Sequence, residues 1–259
     1  MASRRSILGD WFFLVELRHI RRVHGYAGCR TAEKVLDTGR RTGELRVMTT
    51  RVRQERAEVT RQAILDGAAA AFDRLGYGSA SLTDIAQQAG VTKGALYFHF
   101  KSKESLAQAL VQEQFAAVNP AGAAEQLGVQ NVIDRSHYLG RALCREVRVR
   151  AGVRLVLERG LLDGGDPSPY EEWIEQSRVS LAFGQGRGDV RPEVDAYDVA
   201  TYLVGAFTGI QITSDVRTRR ADLSDRVTDM WRFLLPAIVP PRRLGRFDPA
   251  GSQQLESWG

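Results

Sequence analysis

The chain has 259 residues, of which 43% are hydrophobic, and a formal net charge of +5 with an isoelectric point near 9.5. This length indicates one or two domains. We expect no transmembrane segment, because no apolar run reaches the roughly 18 residues that crossing a bilayer requires. The two cysteines, Cys29 and Cys144, are far apart and form no CxxC pair. This placement excludes a disulfide framework and a cysteine-based zinc site, and it favours the reducing cytoplasm.

The excess of basic residues is confined to the N-terminal part of the chain. Residues 1–47 contain 10 of the 36 Lys and Arg residues but only 5 of the 31 Asp and Glu residues, so the rest of the chain is neutral overall. An interface with nucleic acid must therefore depend on where individual cations are placed. Neutrality also argues against a non-specific architectural DNA binder, since such proteins bind by releasing many counterions.

The N-terminal residues 1–47 have no sustained helical period. The apolar stretch Trp11–Leu17 is short and no small-residue cleavage site follows it, so a signal peptide is not expected. A membrane-surface helix is one alternative, because arginines follow the apolar stretch. We predict instead a disordered or loosely helical extension, or a true translation start at Met48.

The apolar pattern of residues 48–104 predicts one long helix followed by two short ones. The long helix ends at Gly76–Gly78, and its inward positions repeat at helical spacing: Ile64, Ala68, Phe72 and Leu75. Ser81 and Asp84 form a capping box that begins the second helix. Two short helices, joined by a tight turn and packed under a longer one, are typical of a helix-turn-helix DNA-binding domain.

The third helix is predicted within Val91–Phe100, which reads VTKGALYFHF. Gly90 suits the left-handed residue that closes a preceding helix, and the Thr92 hydroxyl can cap the free amides of the next turn. Leu96 and Phe100 lie one helical turn apart, so we expect both of them to face inward.

The opposite face of this third helix carries Lys93, Gly94 and Tyr97. These residues supply a cation, a position without a side chain and a flat hydrogen-bonding ring. A helix with such a face can lie close to phosphates and base edges in a DNA groove. We therefore predict that residues 48–104 bind double-stranded DNA.

Residues 56–110, and above all the stretch GVTKGALYFHFKSKE, closely resemble the N-terminal domain of the tetracycline-repressor (TetR) family. Within that family, GALYFHF with a lysine before it is most similar to the γ-butyrolactone receptors of antibiotic-producing actinomycetes. The resemblance implies an all-α fold of nine helices, with three helices for DNA binding and six for a ligand-binding and dimerisation domain.

This resemblance, together with position on the short helices, implies DNA contacts for seven residues: Thr83, Thr92, Lys93, Gly94, Tyr97, His99 and Lys103. Lys93 would reach a guanine edge or a phosphate, and Tyr97 a phosphate or a thymine methyl group. His99 has an alternative role, a hydrogen bond to a carbonyl near its helix end. Lys103, in the first turn of a helix capped by Ser102, is unfavourable for the helix dipole unless it contacts a phosphate.

Residues 105–240 show no strand alternation and are predicted to form the ligand-binding and dimerisation domain, followed by a disordered tail at 241–259. Breaks at glycine and proline separate successive helices. Six helices are predicted, at approximately 103–118, 129–144, 146–161, 169–185, 195–215 and 222–239. The first of them spans the boundary between the two domains.

Three residues are predicted to contact a ligand: Gln114, Trp173 and Thr208. Gln114 is a polar residue on the inward stripe of the linking helix, and Thr208 is a polar residue in an apolar helix. Trp173 has the small residues Ser177 and Ser180 at helical spacing, which leaves room beside its ring. On spacing alone Trp173 could be an ordinary core residue, but the butyrolactone receptors have a pocket-lining tryptophan in a PYxEW-like context, and this chain reads PYEEW.

The last two long helices carry apolar stripes that the family uses for a four-helix dimer interface. One stripe contains Val199, Leu203, Phe207 and Ile210, and the other contains Val227, Met230, Trp231, Leu234 and Ile238. Core packing is the alternative explanation. We predict a homodimer, because Trp231 and Met230 near the C terminus exceed what a small monomer usually covers, and because one helix-turn-helix contacts too few bases for specificity.

The predicted function is that of a homodimeric repressor. It would bind a pseudo-palindromic operator, be released by a small γ-butyrolactone-like ligand, and control secondary metabolism or antibiotic genes. An orphan or multidrug-sensing repressor, responding to an antibiotic or another apolar ligand, is the alternative. We expect no enzyme activity, cofactor, metal or membrane partner. The four histidines are scattered, no nucleophile elbow occurs, and the glycines of 184–188 follow no strand.

Overall fold

The computed structural model describes residues 33–117, 127–162 and 168–253, with the backbone alone at 33–52, 114–117 and 159–162. These stretches contain nine α-helices, one 3-10 helix and no strand, which confirms the all-α prediction. The α-helices are α1 Glu33–Ser79, α2 Leu82–Gln88, α3 Lys93–His99, α4 Lys103–Ala117, α5 Val129–Arg145, α6 Val147–Leu162, α7 Ser168–Gly186, α8 Ala196–Thr218 and α9 Leu223–Ile238. The predicted helices after residue 103 agree with α4–α9 to within three residues at each end.

Two compact units divide the chain, residues 1–54 and 55–259. In the first unit, the structure describes the backbone from Glu33, where α1 begins. The last part of the predicted N-terminal extension is thus helical, while the predictions for residues 1–32 lie outside the described residues. Among the helices that the structure describes, none is long and apolar enough to cross a membrane.

The first helix is interrupted at Gly76, within the predicted break at Gly76–Gly78. Its φ of 77° lies in the left-handed region, which glycine adopts without strain. A side chain there would also collide with α6, because a Cβ atom would lie 2.7 Å from Glu158 Oε1 and 2.8 Å from Arg154 Nη2. The Glu158 carboxylate accepts a hydrogen bond of 2.6 Å from the Tyr77 N–H, which fixes the end of α1 against α6.

The two short helices begin at the predicted caps. Ser81 and Asp84 form the capping box, with the Asp84 N–H donating to Ser81 Oγ at 3.1 Å and the Ser81 N–H donating to Asp84 Oδ2 at 3.0 Å. The Ser81 hydroxyl also donates to Asp84 Oδ2 at 2.6 Å, and this bond, together with the one from the Ser81 N–H, holds the pKa of Asp84 below its ordinary value. Thr92 Oγ1 accepts from the Ala95 N–H at 3.2 Å, and Gly90 closes α2 with a φ of 65°. Local sequence chemistry therefore sets the turn that orients α3.

Two apolar clusters form the interior of residues 55–253. The first belongs to the helix-turn-helix and is built from α1–α4, with Ala151 and Leu155 of α6 inserted into it. The second fills the larger domain between α5, α7, α8 and α9, and it receives Val149 and Val153 from α6. Opposite faces of α6 are thus buried in the two clusters, so α6 connects the helix-turn-helix to the larger helical domain.

The apolar stripes predicted for the dimer interface lie largely inside the protomer. Trp231 is fully buried and donates its Nε1–H to Ser136 Oγ at 2.7 Å, while Leu203 and Met230 are also buried. The core-packing alternative therefore explains these side chains. A different face is exposed on the same two helices, with large apolar side chains at Tyr202, Ile212, Val216 and Phe233.

The predicted disordered tail is wrong for residues 241–253, which pack against the larger domain. Leu244 of the 3-10 helix Pro241–Arg246 packs against the core, and so does Phe247, which directly follows this helix. The buried His137 lies with Nε2 2.9 Å from the Pro249 carbonyl, and burial lowers its pKa below the ordinary value. We call residues 241–253 the C-terminal strap. Sequence reasoning overlooked it because no helical or strand period runs through it.

One group of contacts that holds the strap is centred on the buried carboxylate of Asp134. Ser252 donates to it twice, from its N–H to Oδ1 at 2.7 Å and from its hydroxyl to Oδ2 at 2.6 Å. Gln130 Nε2 donates a third hydrogen bond at 2.9 Å. Removing one donor leaves a buried charge less well compensated, which costs more than the bond itself contributes.

We expect Ser252→Ala to lower the free energy of unfolding by about 1–2 kcal/mol and the melting temperature by about 2–8 °C. Thermal denaturation at a fixed protein concentration measures the change. Gln253→Ala is the matched control, since Gln253 is the exposed neighbour. Equal melting temperatures for the two variants would show that the strap does not stabilise the domain through Asp134.

Candidate nucleic-acid interface and ligand pocket

One face of α3 is exposed and carries the residues predicted to read DNA. Lys93 and Gly94 are exposed, and the Tyr97 side chain is 52% exposed. Leu96 and Phe100 are buried on the opposite side, as predicted. A Cβ atom at Gly94 would meet nothing closer than Thr92 Oγ1 at 3.9 Å, so nothing within the protomer requires glycine there. Close approach to DNA at Gly94 stays a prediction.

Thr83 and Thr92 are exposed at the starts of α2 and α3. The Thr92 hydroxyl already accepts the capping hydrogen bond, but its own proton can still be donated. His99 is half-buried, and its ring packs edge-on against Phe98 with centroids 5.2 Å apart. Contacts of these three residues with DNA stay predictions.

Phe98 is a residue that sequence reasoning missed. Its side chain is 78% exposed on α3, between Tyr97 and His99. Its ring lies next to Tyr97 on the outward side of α3, so Phe98 forms part of the surface that is predicted to read DNA. The signal was available in the sequence, since helical spacing turns position 98 away from Leu96 and Phe100.

The Lys103 side chain contacts the end of α1, and its predicted phosphate contact stays a prediction. Its Nζ donates to the carbonyls of Tyr77 at 2.7 Å, Ala80 at 3.1 Å and Gly78 at 3.4 Å. The ammonium group also lies 4.4 Å from the centroid of the Tyr77 ring. Its three N–H groups are therefore directed to carbonyl groups that the end of α1 leaves unpaired. This interior role explains why a lysine is tolerated in the first turn of α4.

Ion pairs attach the helix-turn-helix to α6. Arg148 donates from Nε to Asp66 at 2.7 Å and from Nη1 to Glu113 at 3.1 Å, which joins α6 to α1 and to α4. Arg61 contacts Glu113 from the other side at 3.0 Å. Further along α6, Arg150 Nε lies 3.1 Å from the Asp73 carboxylate. A displacement of α6 must therefore move the DNA-binding domain or break these contacts.

A pocket of about 90 Å³ lies between α5, α7 and α8. Its walls are Asn131, Val132, Arg135, Ser136, Leu139, Trp173, Gln176, Ser177, Ser180, Leu203, Val204, Phe207 and Thr208. This volume is well below the roughly 300 Å³ at which small-molecule pockets begin. A ligand of butyrolactone size therefore requires the three helices to separate.

Two of the three predicted ligand residues meet in this pocket. Trp173 packs edge-on against Tyr170, with ring centroids 5.5 Å apart and planes at 90°. Thr208 donates its hydroxyl to the Val204 carbonyl at 2.8 Å and hydrogen-bonds the Tyr170 side chain. Burial raises the pKa of Tyr170, and the Thr208 bond opposes that shift. The Gln114 side chain lies outside the described residues, so its predicted role stays a prediction.

The polar end of the pocket was not predicted. Arg135 of α5 donates to Gln176 Oε1, and Gln176 Nε2 donates to Glu172 Oε1 at 3.1 Å. Burial lowers the pKa of the Arg135 guanidinium, and the nearby Glu172 charge opposes that shift. Sequence periodicity could have indicated this site. Asn131, Arg135 and Leu139 follow one another at intervals of four, which places two polar residues on an inward face of α5.

The described residues hold no cluster of three or more His, Cys, Asp or Glu side chains that could bind a metal ion.

Gln211 is buried at 2% exposure in α8, with its amide oxygen shielded from solvent, and it does not line the pocket. The pocket is thus a small apolar cavity with one charged side chain among its lining residues.

Comparison with known proteins gives consistent matches for both domains. Residues 64–110 match the family described as bacterial regulatory proteins, tetR family, and residues 129–240 match the tetracyclin repressor-like C-terminal domain. The A-factor receptor protein of Streptomyces griseus is 42% identical over 205 residues, which is 78% of this chain and 72% of that protein.

Comparison with solved structures indicates the same family. TylP, a TetR regulator from Streptomyces fradiae, has 43% identity and a TM-score of 0.67 over 78% of this chain and 96% of its own. A γ-butyrolactone receptor described as ArpA-like has 32% identity and a TM-score of 0.65 over 79% of this chain and 100% of its own. The chain therefore belongs to the tetR family of bacterial regulatory proteins.

Proposed function

We propose that the chain is a homodimeric transcriptional repressor. Each protomer binds one half of a pseudo-palindromic operator with α3, and a small γ-butyrolactone-like ligand in the α5–α7–α8 pocket releases the DNA. The target genes would belong to antibiotic production or other secondary metabolism, and the protein would act in the cytoplasm. The single observation that carries the proposal is the combination of an exposed α3 face and a Trp173-lined pocket in one chain with 42% identity to the A-factor receptor protein.

The exposed face of α8 and α9 supports the dimer. On α8, Tyr202, Ile212 and Val216 are 64%, 40% and 81% exposed, and Phe233 on α9 is 82% exposed. Gly205 lies on the same face of α8 with nothing near its missing side chain, so a partner helix can approach closely. An apolar surface of this kind on two adjacent helices fits a second copy of itself, as a two-fold interface requires.

Helix α6 is proposed to transmit the ligand signal. The pocket is too small for the ligand, so binding separates α5 from α7 and α8, and α5 is joined to α6 through the single residue Glu146. Because α6 is fixed to α1 and α4 through Arg148, its movement changes the separation of the two α3 helices in the dimer.

The coupling energy required is modest. A hundredfold loss of operator affinity corresponds to about 2.7 kcal/mol, which lies within the usual range for allosteric proteins. The ligand must favour the DNA-incompetent form over the competent form by at least this amount. Opening a collapsed pocket supplies such a difference, because only one of the two forms can contain the ligand.

The test is a titration of a labelled duplex from upstream of the protein's own gene, followed by fluorescence anisotropy. We expect specific binding by the full chain, a loss of at least about tenfold for Lys93→Ala, and release by γ-decalactone or by an extract of the producing culture. Arg178→Ala is the matched control, since it removes the same charge from the surface of α7. Arg178→Ala should bind within about twofold of the wild type.

Two other results are informative. Specific binding that neither the lactone nor the extract disturbs would contradict the ligand response and favour an orphan repressor. Equal losses for Lys93→Ala and Arg178→Ala would indicate that only the overall charge matters, and would contradict sequence reading by α3.

A further inference from the structure

The pocket has one charged side chain among its described lining residues. Arg135 projects from the middle of α5, while the other lining side chains are neutral. Neutral hydrogen-bonding groups are already plentiful there, since Ser177, Ser180 and Thr208 also line the walls. A neutral lactone carbonyl could be bound by such groups without a cation. The presence of Arg135 therefore calls for an explanation based on charge.

Placing a guanidinium in this position has a cost. Its removal from water penalises the charged form, and Glu172, the carboxylate that offsets the penalty, is exposed at the surface. The side chain of Gln176 accepts a hydrogen bond from Arg135 and donates one to Glu172, so a neutral amide is one of the groups that connect the guanidinium with this surface carboxylate.

Arginine differs from other polar residues in what it binds best. Its planar group presents parallel N–H donors that match the two oxygens of a carboxylate, and such charge-assisted pairs are about twice as strong as neutral hydrogen bonds. In a pocket of low polarity this preference increases, because water competes less for either partner. The apolar side chains of Leu139, Trp173 and Phe207 line the same pocket and suit a hydrocarbon chain.

We propose that Arg135 selects a carboxylate, so that the ligand is an anionic amphiphile with its head group on Arg135 and its chain along Trp173. For ligands of the butyrolactone type this means the ring-opened γ-hydroxy acid rather than the neutral lactone. The inference rests on the proposed function, because it names the chemical class of the ligand for the same pocket.

The test compares three compounds. 4-Hydroxydecanoate is the anion of the acid that forms when γ-decalactone takes up one molecule of water, and the lactone itself is the second compound. Decanoate, the third, cannot form a lactone. Binding to the full-length protein is measured by calorimetry at neutral pH, and release of the operator is measured by anisotropy in the same buffer. We expect both acids to bind at least about tenfold more tightly than the lactone. Both acids should also release the operator at lower concentration than the lactone does.

Three variants separate charge from shape. Arg135→Met should lose at least about tenfold in affinity for the two acids and change little for the lactone, while Arg135→Lys should lose less. Arg145→Met is the matched control, since Arg145 is exposed at the end of the same helix and does not line the pocket. Operator binding by each free variant shows that it has folded.

The contrary results are distinct. Tighter binding of the lactone, unchanged acid affinity in Arg135→Met, or no binding of either acid at millimolar concentration would overturn the carboxylate assignment. In each of these cases operator binding and release by the lactone would leave the proposed function intact. Absence of operator binding by the wild type would instead contradict the proposed function, whatever the ligand preference.

Discussion

Replacing Gly67 by alanine is expected to lower operator affinity by at least about tenfold and the free energy of unfolding by about 1–3 kcal/mol. Gly67 lies in α1 where the end of α2 crosses it. A Cβ atom there would be 2.7 Å from Ala89 N, 2.8 Å from Ala89 Cβ and 2.9 Å from Ala89 Cα. Two of these atoms are backbone, so α2 must shift as a whole. Helix α3 follows α2 after a four-residue turn, and the displacement therefore reaches the face of α3 that is predicted to read DNA.

An opposing effect must be weighed against this collision. Alanine favours a helix interior over glycine by about 0.5–1 kcal/mol, which would stabilise α1. The neighbouring Ile64, Leu65 and Ala68 are completely buried, so α1 cannot slide away from α2 to relieve the contact. We therefore expect the steric penalty to exceed the gain in helix propensity.

Gly78→Ala is the matched control for Gly67→Ala. A Cβ atom at Gly78 would have nothing within 4 Å, and its φ is not positive. Operator affinity within about twofold of the wild type is expected for this variant. Thermal denaturation and anisotropy on both variants provide the measurements. If Gly67→Ala were as stable as the wild type and bound DNA as tightly, the contact between α1 and α2 would be able to relax, contrary to our expectation.

The parts of this structure that sequence predicts well depend on local chemistry. The capping box at Ser81 and Asp84, the cap at Thr92 and the left-handed Gly90 each involve residues within three or four positions of one another. Such contacts form wherever the local sequence occurs, so they could be predicted without knowledge of the fold. They fix the bounds of α2 and α3, and with them which side of α3 faces outward.

Contacts between distant residues were predicted less well. Lys103 was assigned to a phosphate because its position in α4 opposes the helix dipole, but its nearest acceptor is the carbonyl of Tyr77, 26 residues earlier. The strap was missed for a similar reason, since Ser252 reaches Asp134 across 118 residues. A residue that is unfavourable in its own helix indicates that a partner exists, but the sequence alone does not identify the partner.

The apolar stripes of α8 and α9 illustrate a different limit. A helix that packs on its own core and also on a second protomer has two apolar faces, and helical periodicity does not say which face is which. The bulky residue Trp231 was assigned to the dimer, yet it lies in the core with its indole N–H on Ser136. The exposed face is marked instead by Phe233 and Val216, whose outward direction becomes apparent only once the core is known.

Phe233→Asp is expected to separate the dimer and to weaken operator binding by about 10²–10⁴-fold. Phe233 is 82% exposed on α9, the helix that packs against α8. In a two-fold interface the substitution places two carboxylates on one apolar surface, where each loses hydration without gaining a partner. A monomer then contacts only one half-site. In a dimer, binding of one α3 helix holds the second α3 helix close to its own half-site, and the monomer loses this gain in affinity.

Sedimentation at micromolar concentration measures the first effect, with the wild type expected at twice the protomer mass of 28.8 kDa and the variant at one protomer mass. Phe183→Asp is the matched control, because it makes the same chemical change at a partly exposed phenylalanine on α7, outside the α8–α9 face. The control should remain dimeric and bind the operator within about threefold of the wild type. A dimeric Phe233→Asp variant with normal operator affinity would place the dimer interface on another surface. A monomeric variant with normal affinity would show that one protomer is sufficient, and would contradict the pseudo-palindromic operator on which the proposed function depends.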